Sequence, residues 1–133
     1  FRNFEPHQME AVGAKGRCFL PEDNGVPAYD ELVYLANPDT MDQAAVERFL
    51  AATARAAREI AADPQAGWKD FRSYAPELDD ALNAAAWADT VPHFATDPVA
   101  LDVARYRDFG AFMAEAGLIS QAPPVDAITR ALP

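Results

Sequence analysis

From Thr40 onward the apolar positions recur every three or four residues. Val46, Phe49, Leu50, Ala54, Ala57 and Ile60 form one stripe, while Arg48, Arg55, Arg58 and Glu59 fall elsewhere. That spacing predicts an amphipathic helix of about five turns. Thr40, with Gln43 three residues on, is a capping-box candidate for its start. Asp63-Pro64 reads as a cap followed by a proline at the first helical position, opening a second helix that carries Trp68, Phe71 and Tyr74 and ends at Pro76. Leu78, Leu82, Ala86 and Trp87 predict a third helix from about Glu77 to Thr90. A fourth is expected to start at Asp97-Pro98 and to run through Leu101, Tyr106, Phe109, Phe112 and Met113 to Gly117. "SQAPPVDAITRALP" reads as an extended link and a last short helix. Each apolar stripe needs a partner surface, so Phe49, Leu50, Ile60, Trp87, Phe109 and Phe112 are expected to be largely buried.

Before Thr40 the pattern differs. Pro6 suits a first helical turn and Gly13 a stop, which predicts a short helix over Glu5 to Val12. "RCFL" (Arg17 to Leu20) and "ELVYLAN" (Glu31 to Asn37) are apolar runs separated by "PEDNGVPAYD", and they read as strand, long loop, strand. Two short strands do not make a stable sheet alone, so further strands are expected in an N-terminal portion outside this chain. The start at Phe1, with no signal peptide, agrees with a chain whose natural N-terminus is not included.

Charge and composition narrow the classes. At 133 residues the chain is one domain's worth. Twenty-one acidic against eleven basic residues give a net charge of −10, which repels nucleic acid and anionic membrane surfaces. No apolar run approaches the roughly 18 residues of a membrane span. The single cysteine, Cys18, excludes an intrachain disulfide and a cysteine-built zinc site, and is expected as a small core residue.

Little in the sequence carries reaction chemistry. His7 and Glu10 lie one helical turn apart, but two ligands without a third make no metal site, and a solvated helix face is the expectation. His93 between Pro92 and Phe94 reads as structural, and Asp79-Asp80 with the "PEDN" acids as loop and helix-start charges. There is no glycine-rich phosphate loop, no G-x-S-x-G elbow and no serine beside a histidine, so no catalytic residue and no cofactor are assigned. What remains is a binding chemistry. Phe1, Phe4, Tyr29 and Tyr34 offer flat faces, and Asn3 and Glu5 offer hydrogen-bonding groups beside a helix start; a planar heterocycle could stack on the first and be oriented by the second. The competing reading makes the aromatics core and Glu5 a complement to the helix dipole.

"FRNFEPHQME", "GRCFLPEDNGVPAYDELVYLANPDTMD", "WADTVPHF" and "FMAEAGLI" together resemble the C-terminal part of the ABC-transporter solute-binding proteins that capture thiamine pyrimidine precursors. The resemblance runs over essentially the whole chain. It implies an α/β periplasmic-binding-protein-like fold with two lobes, of which this chain would be the C-terminal portion, mostly helical with a few short strands. Residues 1–37 would be the end of the second lobe and the crossover strands, and residues 38–133 the helical C-terminal part of the first lobe. It also implies ligand-binding roles for Phe1 and Glu5, an aromatic and a glutamate four residues apart, to which Asn3 and Tyr29 are added as neighbouring candidates. Phe1 stands where a tyrosine is often expected, which removes a hydroxyl contact. The implied partners are a small aminopyrimidine, a membrane permease and the N-terminal half of the same protein, with no nucleic acid; the implied location is periplasmic or membrane-anchored and extracytoplasmic. Fungal pyrimidine synthases share the fold and use a cysteine-rich motif, which a lone Cys18 does not supply, so the expectation is a binding protein and not an enzyme. A helical interaction module without a small ligand is the remaining alternative.

Overall fold

A computed structural model of the chain describes residues 1–95, 97 and 101–131. Six helices follow one another among the described residues: α1 (Glu5–Ala11), α2 (Gln43–Ala62), α3 (Pro64–Ser73), α4 (Ala81–Thr90), α5 (Val103–Glu115) and α6 (Val125–Ile128). Short 3₁₀ turns occupy Glu22–Asn24, Pro76–Leu78 and Val91–His93. The chain divides into two compact units, Phe1–Cys18 with Leu50–Pro98 and Phe19–Phe49 with Val99–Pro133.

Acidic caps set most of the helix starts. Asp63 accepts hydrogen bonds from the amides of Gln65 and Ala66, with Pro64 in the first turn, as expected from the Asp-Pro pair. Removing that cap is expected to cost about 1 kcal/mol, so chemical denaturation of Asp63→Ala against the parent chain should show a loss of about that size. Elsewhere the cap differs from the expected residue. Asp42 Oδ1, and not Thr40, takes the Ala45 amide at 3.1 Å, because Thr40 lies in a preceding turn whose amide donates to the Asn37 carbonyl. The helix expected from Glu77 starts only at Ala81: Pro76–Leu78 form a 3₁₀ turn and Asp80 receives the Asn83 amide at 2.7 Å. The helix expected from Asp97-Pro98 starts at Val103 on the Asp102 cap, and Pro98 itself lies outside the described residues. Gly117 closes α5 at φ +72°, a left-handed conformation that a side chain disfavours.

The expected strands do not form. No strand occurs among the described residues; "RCFL" and "ELVYLAN" are irregular, and residues 27–36 make no backbone–backbone hydrogen bond to any described residue. The physical reason is the absence of a partner: a strand is held by the ladder beside it, and two isolated runs without a third element gain too little. Their side chains are correspondingly exposed, Leu32 at 89% and Leu35 at 91%. Cys18, expected in the core, is exposed for the same reason.

Burial is also thinner than the stripes predict. Among the described residues the buried hydrophobic side chains are Ala54 and Ala86, small residues on α2 and α4. Leu50, Ile60, Trp87, Phe109 and Phe112 are half-buried, and Phe49 is 51% exposed. In the first unit Gly67 of α3 lies against α2 and α4: an added Cβ there would stand 3.0 Å from both Ile60 and Trp87. That approach explains a glycine inside a helix, where it otherwise costs stability relative to alanine.

Candidate functional site

The "FRNFE" segment leads into α1, and α1 is fastened to α4. Asn3 Nδ2 donates to Thr90 Oγ1 at 2.7 Å, and the Thr90 hydroxyl donates to the Ala86 carbonyl at 2.6 Å. One helical turn on, His7 Nε2 lies 2.7 Å from Asp89 Oδ2. His7 therefore has a carboxylate partner on the neighbouring helix, and no group of three or more metal-ligating side chains exists among the described residues.

These two links present Phe1 and Glu5 outward. Phe1 is 66% exposed, and the Glu5 carboxylate contacts the Phe1 α-ammonium. That ammonium, assisted by a backbone hydrogen bond, holds the Glu5 carboxyl below its ordinary range. The charge exists only where Phe1 is the first residue; with a residue before it, the nitrogen is a neutral amide and the Glu5 carboxylate is left available to another donor. Glu5 is also the first residue of α1, where a negative charge complements the dipole.

Beneath the segment lies a groove of about 650 Å³ within the first unit. Its walls are aromatic: Phe71 lies 5.2 Å from Trp87 between ring centroids, and Phe94 meets Trp87 edge-on at 6.4 Å. Phe4 and Ile60 complete the apolar lining. Asn3, Asn83 and Thr90 are the polar members within it, with Asp70 exposed. A smaller depression of about 230 Å³ is lined by Arg2, Asn3, Asp89 and His93 among others.

Tyr29 belongs to the second unit. Its ring stacks on Phe109 at 4.6 Å and 18°, and the adjacent Asp30 pairs with Arg105, four residues before Phe109 on α5. Asp30 raises the Arg105 pKa, and burial followed by the Asp30 charge raises that of Tyr106. Tyr29 thus has one ring face engaged in clasping α5. Of the four sequence candidates, the structure brings Phe1 and Glu5 into contact, ties Asn3 to α4 and places Tyr29 on α5. Sequence reasoning missed Asp30, Asp89 and Thr90 as partners. Their separations of 75, 82 and 87 residues leave no local spacing to detect.

A family model described as NMT1/THI5 like matches residues 1–67, the half of the chain that contains "FRNFE" and "GVPAYDELVYLAN". The chain belongs to the NMT1/THI5-like family, which implies a periplasmic-binding-protein-like fold. A protein of Haemophilus influenzae, named as a thiamine biosynthesis protein, is 42% identical over 123 residues, which are 92% of this chain and 39% of that protein. The chain thus spans about two fifths of the length of the curated relative it matches. No solved structure matches the chain.

Proposed function

We propose that these residues are the C-terminal part of the solute-binding component of an ABC importer for an aminopyrimidine precursor of thiamine. The carrying observation is the outward-facing pair at the start of α1, an exposed Phe1 ring with the Glu5 carboxylate four residues on, inside the family-matched segment. Neither group is consumed by packing against α4, which Asn3 and His7 hold instead. A carboxylate accepts from an exocyclic amino group or a protonated ring nitrogen, and an aromatic ring covers the π face. The family and the relative's name support a role related to the thiamine pyrimidine. A membrane permease and an extracytoplasmic location follow from the importer reading; no described helix is long and apolar enough to cross a membrane.

One wall does not desolvate a ligand, so the 133-residue chain is expected to bind an aminopyrimidine weakly or not at all, and a longer protein containing it to bind well. Calorimetric titration of both with a 4-aminopyrimidine checks this. Equal affinities would show that the chain carries the whole site. The relative's name favours a second reading, a biosynthetic enzyme, which predicts formation of a pyrimidine product by the longer protein without a transporter present.

A further inference from the structure

We infer that Thr90 and Asp89 of α4 are positioning residues for the pyrimidine site, and that Asn3 serves that site by gripping Thr90 and not by touching the ligand. The inference rests on the reading of Phe1 and Glu5 as ligand groups. Two matching spacings carry it: Phe1 and Glu5 are four residues apart, and so are Asn3 and His7. The Glu5 amide donates to the Phe1 carbonyl at 3.2 Å, which fixes Phe1 to the entry of α1. His7 lies two residues beyond Glu5, about 200° around a helix that turns about 100° per residue. Holding the Asn3 and His7 side against α4 therefore turns the Phe1 and Glu5 side away from it. The exposures agree, with Asn3 and His7 half-buried and Phe1 and Glu5 exposed.

The aim of α1 depends on these polar links because little else sets it. The helix has seven residues, none of them buried, and so short a helix has little stability of its own. Phe4, half-buried at the groove, adds apolar contact without direction. The links are directional, and their donors and acceptors are decided. The Thr90 hydroxyl has one proton, which goes to the Ala86 carbonyl at 2.6 Å, so toward Asn3 it is an acceptor. Asn3 must then present its amide nitrogen to α4, as it does at 2.7 Å. The Asp89 carboxylate likewise only accepts, so His7 Nε2 at 2.7 Å carries the proton between them. A site whose ligand groups are held in place before binding loses less freedom on binding, and releasing α1 forfeits that gain.

Calorimetric titration of the longer protein with a 4-aminopyrimidine, at a temperature where every variant is folded, provides the test. Thr90→Val keeps the shape of the side chain and removes the hydroxyl, and it is expected to weaken binding by roughly three- to tenfold. Asp89→Ala should do the same. Thr90→Ser keeps the hydroxyl and should retain the parent affinity, which a general loss of packing at this position would not allow. Asn3→Ala is expected to match the loss of Thr90→Val, and the double variant to lose no more than either single one, because both changes break one link. If Asn3 touches the ligand directly, the two losses multiply, and the inference is overturned. It is also overturned if Thr90→Val or Asp89→Ala binds like the parent, or if Thr90→Ser binds as weakly as Thr90→Val. In each of these cases a parent protein that binds, and that is weakened by Glu5→Gln, leaves the pyrimidine reading standing. A parent that does not bind, or a Glu5→Gln variant that binds unchanged, removes that reading and the inference with it.

Discussion

In the longer protein, Glu5→Ala is expected to weaken aminopyrimidine binding by about one to two decades. A charge-assisted hydrogen bond is worth roughly 1.5–3 kcal/mol, and about 1.4 kcal/mol corresponds to one decade of affinity. The carboxylate is half exposed, and the contact it now makes is to an α-ammonium at the chain start. The competing role, a charge at the first position of α1, is worth roughly 0.3–1 kcal/mol of stability and predicts no change in affinity. Calorimetric dissociation constants for the two proteins separate the accounts.

The second large effect concerns stability. Trp87→Ala in the 133-residue chain is expected to cost about 2–3 kcal/mol, below the roughly 3–5 of a fully buried aromatic because the ring is only half covered. The indole contacts Trp68 and Phe71, with centroids at 5.9 and 5.2 Å, meets Phe94 edge-on and ties α4 to the start of α3 through the Pro64 carbonyl. Equilibrium denaturation in urea reads the loss. A cost below about 0.5 kcal/mol, the range of ordinary surface substitutions, would mean that the aromatic cluster does not organise this unit.

How much of this was legible in the sequence follows from how local each signal is. Helix identities came from spacing within a few residues, and α1, α2 and α3 lie close to where the pattern put them. Starts were less legible: Asp42 caps α2 in place of the expected Thr40, and α4 and α5 begin on Asp80 and Asp102, later than the starts expected at about Glu77 and at Asp97-Pro98. The strands failed for a non-local reason. "ELVYLAN" has the residues of a strand, but a ladder needs a neighbour, and the described residues provide none. The exposure of Cys18 and Leu35 follows from the same missing cover. At the candidate site, the crowding of "FRNFE" was visible, yet its division of labour was not. Asn3, one ligand candidate, donates to Thr90, and Tyr29, another, stacks one ring face on Phe109. Both partners lie too far along the chain for any motif to reveal them.

The central claim is that Glu5 orients a pyrimidine, and the most direct measurement pairs dissociation constants with melting temperatures for Glu5→Gln in the longer protein. Glutamine keeps the size and one acceptor but removes the charge. The account predicts an unchanged melting temperature and a loss of affinity of tenfold or more for a 4-aminopyrimidine, with a much smaller loss for the analogue lacking the amino group, because only the former presents the matching donor. A lowered melting temperature with intact affinity for both ligands would contradict it and make Glu5 a structural carboxylate at the start of α1.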